Sequence, residues 1–459
     1  MSSPDLSTSP RAIWRLTWPQ MLMMFFFFCL GLCDVWTAGQ ISGDVQAAFG
    51  LVAQCAMFLN VLVMAMSSGA MAAVSQSMGA NRLRRARRYV SMTVCLALLL
   101  GICVGILAFI GQDTLFALLM TPENILPTTL SYWGISLFTL PAAYVFAATG
   151  VMFRATRQVF PPLFVAAFMC VGNLLGNLGF GLGWFGLPVF GYKGIAWTTF
   201  ACTCMGAVCN SLLLARIGYL SAADIPPLRW IRRAAPYLLK VALPAGTAQI
   251  VWQSGYMALF AVAASLPTDS VNALAGMTAG MRAEALLFLP GMAFSMTASV
   301  MVGNSLGAGN KETARRLALQ LAGSGSLLMS LVAAALWAFI PEIATALSAV
   351  PAAQAQTVNY LHYNFLATPF TVCSMVLGGA MTGAGATRYN LFVYGGSFWC
   401  LRLPLALYLG HHVWTSAEGI FLAMLASQAV QSLIMLYVLL HADWTRFAMH
   451  CANTHATTS

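Results

Sequence analysis

Residues 18–41 read WPQMLMMFFFFCLGLCDVWTAGQI. About 20 apolar residues rising ~1.5 Å each cross ~30 Å of hydrocarbon, so this stretch predicts a membrane-spanning helix. Asp34 lies deep inside it. A charge at that depth costs at least ~2.5 kcal/mol on insertion scales, and such groups normally face a partner or a water-filled cavity. Two readings follow. Asp34 is either a carboxylate tied into a helix bundle by hydrogen bonds, or one that binds and releases a cation.

The rest of the chain fits the same solvent. Of 459 residues, 60% are hydrophobic and 7% charged, with a formal net charge of +10. Soluble domains carry about 25% charged residues, so the composition places this chain in a lipid bilayer. The polar start, MSSPDLSTSPRAIWRL, is followed by no small-residue cleavage site. The first apolar stretch is therefore expected to be retained as a helix and not removed as a signal peptide. The cysteines fall mostly within apolar spans without a CxxC pair or a Cys/His cluster, which reads as small core residues.

Twelve spans are expected, at roughly 16–40, 46–75, 90–111, 128–153, 161–182, 192–216, 236–265, 272–305, 316–340, 357–384, 388–409 and 415–441. Nineteen of the 22 basic residues fall in the tails and in alternate loops, among them the run Arg82, Arg84, Arg85, Arg87 and Arg88. The opposite loops hold Asp44, Asp113, Glu123, Asp269, Glu342 and Glu418 against a single Lys193. That asymmetry is the positive-inside pattern and predicts both termini on the cytoplasmic side. It also accounts for the net charge without nucleic acid.

The sequence repeats about its middle. SMGANRLRRARR at 77–88 matches SLGAGNKETARR at 305–316 with an offset of 228, and the same offset pairs Pro141 with Pro369. Ala-Thr-Arg recurs at 155–157 and 386–388, and RLTWP at 15–19 faces KVALP at 240–244. Between the copies lies SAADIPPLRWIRR, residues 221–233, read as a surface linker or interfacial helix. The expected fold is an all-α polytopic membrane protein with twelve helices in two pseudo-symmetric six-helix lobes. The domain limits are 1–15 (tail), 16–220 (N-lobe), 221–235 (linker), 236–445 (C-lobe) and 446–459 (tail). Both lobes enter from the same side, a parallel repeat with a cavity expected between them.

Motifs for soluble chemistry do not occur. The sequence holds no GxxxxGK[ST] phosphate loop and no HExxH, and no GxSxG sits at a strand-to-helix elbow, so the chain is not expected to be an enzyme. The six His residues lie at span ends or in loops. The reading from another class, an intramembrane enzyme, would need them to converge with acids or hydroxyls.

Taken together, twelve spans in two lobes, a Pro fifteen residues before Asp34, and the paired endings Gln76-Ser-Met-Gly-Ala80 and Asn304-Ser-Leu-Gly-Ala308 resemble the multidrug and toxic compound extrusion (MATE) family. NLLGN at 173–177, the loop GLPVFGYKG and GIAWTTFA at 194–201 look like that family's fifth and sixth helices. The resemblance covers about 11–445. It implies an antiporter in the cell inner membrane that expels small organic cations in exchange for H⁺ or Na⁺ by alternating access, working as a monomer with no other cofactor. Asp34 matches the family's first-helix aspartate, Asn173 a fifth-helix asparagine and Thr199 a sixth-helix threonine. Asn177 falls where some members carry a second aspartate. The regions where some members carry a Glu in helix seven and an Asp in helix ten read AQIVWQSGY and PFTVCSM here, with Gln253 as the nearest polar group.

The site expected on these grounds is Asp34 with Asn173, Asn177 and Thr199. Asn173 and Asn177 are four apart and share a helix face. Asp34 lies 18 residues into its expected span, ~27 Å along it. Carboxylate, amide and hydroxyl oxygens suit either a proton or Na⁺, the only metal ion expected. Glu284 is the other deep acid. With Gln253, Arg282 and Arg402 it marks a second polar site, and the favoured arrangement is a structural Glu284–Arg402 pair. The rival within the same superfamily, a lipid-linked oligosaccharide flippase, would line its cavity with bases, of which only Arg282 and Arg402 are deep.

Overall fold

The computed structural model describes residues 9–348 and 350–449; residues 1–8 and most of the expected C-terminal tail, with His450 and His455, lie outside them. Among the described residues the chain is helical throughout, without a strand. Eleven helices among the described residues are long and apolar enough to cross a bilayer, which makes this a multi-pass membrane protein. The seventh expected span falls on a further 37-residue helix, Leu228–Ala264, where Gln249, Gln253, Ser254 and Tyr256 dilute the apolar run.

Helices α1 (Pro10–Ile41), α2 (Gly43–Gly79), α3 (Leu83–Ile110), α4 (Gln112–Leu118), α5 (Leu126–Ala155), α6 (Phe160–Gly176) and α7 (Tyr192–Arg216) precede α8 (Leu228–Ala264). After it come α9 (Ser270–Gly307), α10 (Lys311–Leu336), α11 (Ile340–Leu347), α12 (Pro351–Ala384), α13 (Thr387–Gly396), α14 (Leu403–Tyr408) and α15 (Ala417–His441). A π-helical turn, Asn177–Gly181, extends α6, and another, Ser397–Arg402, joins α13 to α14.

Local chemistry sets the ends. Helix α1 starts six residues earlier than the hydropathy suggests, because Ser9 Oγ accepts from Ala12 N at 3.3 Å and Pro10 follows at the first position. Ser at the cap and Pro just inside are the standard start signals. The distance of Asp34 from the helix start therefore does not measure its depth. The expected linker is partly helix as well: α8 begins at Leu228, directly after Pro226 and Pro227, and runs unbroken to Ala264.

The internal repeat is written in the backbone. Asn81 and Gly309, 228 apart, both take left-handed φ values, 56° and 81°. Arg82 N–H bonds Ser77 O at 2.9 Å, and Asn310 N–H bonds Ser305 O at 3.0 Å. The Ala-Thr-Arg recurrence, by contrast, is not the structural match. Arg157 (φ 61°) corresponds to Gly385 (φ 78°), again 228 apart. Gln158 N–H bonds Phe153 O as Ala386 N–H bonds Met381 O, both at 2.8 Å. A shared turn geometry outranks a shared tripeptide, because the helix-ending hydrogen bond fixes the register.

The chain divides into two compact units. The first is Trp18–Met78 with Arg82–Leu239; the second runs from Lys240 onward, with residues up to Thr17 and Gly79–Asn81. In the first unit, Met23 of α1 packs on Leu163 and Ala166 of α6, flanked by Trp18, Phe26 and Phe27, while Phe25 is exposed. Further along, Ala38 joins Phe49, Tyr132, Trp133 and Ile195 in a core sealed by the Phe49–Tyr132 contact, 4.5 Å between ring centroids. In the second unit, α9 and α12 meet through glycine: a Cβ on Gly276 or Gly280 would strike α12, and one on Gly379 or Gly383 would strike α9. Small residues let helices approach closely in lipid, where hydrophobic burial between helices gives no net drive.

Candidate functional site

The packing of α1 on α6 decides where the polar residues go. Asp34 follows Phe27 by seven residues, and Asn173 follows Ala166 by seven. Two turns along each helix, the faces already in contact carry a carboxylate and an amide. Asp34 is 7% exposed, and Asn173 and Asn177 are buried.

The four residues expected at this site come together. Asn177 Nδ2 donates to Asp34 Oδ1 at 2.6 Å and to Asn173 Oδ1 at 3.0 Å. Asn173 Nδ2 donates in turn to Thr199 Oγ1 at 3.2 Å, which ties in α7. Asn177 stands at the first position of the π turn. Such a turn widens the helix by one residue and recurs at functional sites. Gly176 beside it lies against Thr198, so α6 and α7 run close enough for Asn173 to reach Thr199. Asn177 Oδ1 is buried without a hydrogen-bond partner. An orphaned amide oxygen next to a buried carboxylate is a ready ligand for a cation or a protonated group.

Two neighbours were not legible as site members. Cys33 Sγ lies 3.8 Å from Asn177 Nδ2, and Tyr132 on α5 is within electrostatic reach of Asp34. Adjacency to Asp34 was the only sequence signal for Cys33; nothing marked Tyr132 apart from other core aromatics. No group of three or more His, Cys, Asp or Glu converges among the described residues.

The second polar site assembles only in part, and the expected Glu284–Arg402 pair is not made. Glu284 on α9 is 8% exposed and accepts from Tyr360 Oη of α12 at 2.5 Å. Gly280, one turn earlier on the same face, makes room for the Tyr360 ring. Arg402, 0% exposed, donates from Nε to Ser427 Oγ at 2.7 Å. Its guanidinium lies 4.3 Å from the Phe398 ring centroid, with Trp252 and Tyr256 at 5.9 and 6.0 Å. Each charge has taken a local neutral or aromatic partner without direct contact between the two, and Arg402 Nη1 is left without an acceptor. Arg282, expected deep in the second polar site, is instead exposed, because positions two apart on a helix do not share a face, and Gln253 is half-buried outside both networks.

A family model described as MatE matches residues 19–178 and 244–408. The chain is 28% identical over 423 residues to a probable multidrug resistance protein NorM of Bradyrhizobium diazoefficiens, covering 89% of this chain and 88% of the relative. A probable multidrug resistance protein NorM of Thermotoga maritima is 22% identical over 439 residues, with 95% and 93% covered. Among solved structures, a mutant of the Vibrio cholerae MATE transporter VcmN superposes with a TM-score of 0.86 at 19% identity, covering 94% of this chain and 96% of that one.

Proposed function

The chain belongs to the MatE family, and from that premise we propose that it is an antiporter that exports small organic cations in exchange for H⁺ or Na⁺, coupled through Asp34. The observation that carries the reading is the buried Asp34 carboxylate inside a membrane-spanning helix, hydrogen-bonded by Asn177 and backed by the oxygens of Asn173 and Thr199. The relatives' names, which describe multidrug resistance proteins, support the substrate class.

In this reading the ionised carboxylate is the shared ligand. An organic cation and the coupling ion compete for it, and the site is exposed alternately to the two sides of the membrane. The two ligands favour different states, so loading one drives release of the other; the coupling is reciprocal and typically worth ~1–3 kcal/mol. For H⁺, the proton adds to an Asp34 oxygen while Asn177 holds the other. For Na⁺ as the transported ion, the carboxylate and the unpartnered Asn177 Oδ1 are the first oxygens available, with Asn173 Oδ1 and Thr199 Oγ1 behind them. The setting proposed is a cell inner membrane with both termini cytoplasmic.

The test is efflux of a fluorescent lipophilic cation from proteoliposomes under imposed H⁺ or Na⁺ gradients, for wild type and Asp34→Asn. Gradient-driven efflux should fall to the rate without a gradient in the variant, and the ion that drives the wild type names the coupling. Equal efflux by both proteins would sink the Asp34 mechanism.

A further inference from the structure

The second unit holds a buried acid that the antiport reading does not use. Glu284 Oε2 is met by the Tyr360 hydroxyl, and Arg402 lies within Coulomb reach but out of contact. Arg402 Nη1 is buried and has no acceptor. A guanidinium stays charged in a protein, so that N–H is a cationic donor in want of an oxygen.

The titratable groups around Glu284 are Tyr360 of α12, which hydrogen-bonds it, Arg402 of the π turn after α13, which acts on it through its charge, and the phenol of Tyr256 on α8. Helix α10, also packed on α9, carries its charges only in its first turns, at Lys311, Glu312, Arg315 and Arg316, beyond the far end of α9. Glu342 of α11 is exposed, and so is Arg282 on α9 itself.

We propose that Glu284, with Tyr360 and Arg402, forms a second protonation site, one that takes H⁺ and no metal ion, and whose ionised form pairs with Arg402 Nη1. Loading adds one proton to a carboxylate oxygen and leaves the guanidinium charged, so the cluster passes from neutral to singly positive. Protonated, the acid keeps the Tyr360 bond seen here, and Arg402 rests on its aromatic neighbours and Ser427. Ionised, it becomes the one acid positioned to supply the acceptor that Nη1 lacks. The ligand is a proton for two reasons. A hard cation collects several oxygen ligands, and here a single carboxylate and a phenol converge. The fixed positive charge of Arg402 also repels any metal ion that would enter. The proposal rests on the antiport reading only for its consequence in transport, an added proton per cycle.

The test is infrared spectroscopy of the purified full chain carrying Asp34→Asn, in which Glu284 is the remaining buried acid among the described residues. A carboxylic-acid carbonyl band that titrates with pH is expected, unchanged by Na⁺, and lost when Glu284→Gln is added. Tyr360→Phe, which keeps the carboxyl, should shift that band, and this covers the case in which the double variant fails to fold. The inference is overturned if Asp34→Asn shows no titrating acid band, if the band survives Glu284→Gln or ignores Tyr360→Phe, or if Na⁺ abolishes it. The readout needs no transport, so failure of cation efflux in the wild type would strike the antiport reading alone.

Discussion

Asp34 and Glu284 are both buried in membrane-spanning helices, yet their surroundings are of opposite kinds. Asp34 is met by an amide, with a second amide and a hydroxyl behind it, and the described residues bring no cation to it. Glu284 is met by a phenol, with a fully buried guanidinium close by. The first cluster has spare oxygen, seen in the unpartnered Asn177 Oδ1; the second has a spare donor, seen in Arg402 Nη1. Spare oxygen beside a carboxylate attracts a positive ligand from outside the protein, while a spare cationic donor attracts the protein's own carboxylate. Two acids of similar burial are thus suited to different work, and what separates them is the sign of the group left without a partner.

The largest effect should come from comparing the acids directly. Asp34→Asn is expected to cut gradient-driven efflux about tenfold or more, the scale of coupling free energies. Glu284→Gln should leave Na⁺-driven efflux nearly intact. Equal losses in the two variants under a Na⁺ gradient would break the distinction.

Within the first cluster the damage should follow the hydrogen-bond chain outward. Asn177→Ala removes the group bonded to Asp34 and should cost about tenfold in efflux, since a hydrogen bond to a charged group is worth ~1.5–3 kcal/mol. Asn173→Ala should cost less and Thr199→Val least. A Thr199→Val loss larger than that of Asn177→Ala would mean that the hydroxyl meets the transported ligand directly.

In the second unit the expected readout is stability. Gly280→Ala places a methyl group against the Tyr360 ring and should destabilise by ~1–3 kcal/mol, the usual cost of overpacking, lowering the thermal midpoint in detergent without changing which ion drives efflux. The smallest effect is assigned to Phe398→Leu, which removes the ring over Arg402 and should cost ~0.5–2 kcal/mol by the same measurement. A change of ion preference in either variant would show that the second cluster takes part in coupling beyond its proton.

Much of the first cluster could be read in advance, and for a physical reason. A carboxylate in an apolar run is conspicuous because lipid makes it expensive, and two asparagines four apart on a helix must share a face. Tyr360 could not be found that way. It lies 76 residues from Glu284, and among many aromatics in an apolar chain nothing distinguishes the one whose hydroxyl will meet an acid. The Glu284–Arg402 pairing is not made for a related reason: opposite charges at similar depth suggest a pair by sign, but nearer partners, the phenol and the aromatic rings, take each of them. The true start of α1 is written in Ser9-Pro10, a polar cap that a hydropathy pattern does not register.

The amino-acid order by itself determined the membrane class, the long helices, the duplication with its offset of 228, and the presence of buried acids. Each follows from local composition or from spacing along the chain, which any fold must respect. Only the tertiary structure decided which polar atoms are satisfied and which are left over. Hydrogen bonding over distances near 3 Å depends on how helices pack, and a glycine at position 176 or 280 settles that packing as firmly as any charged residue.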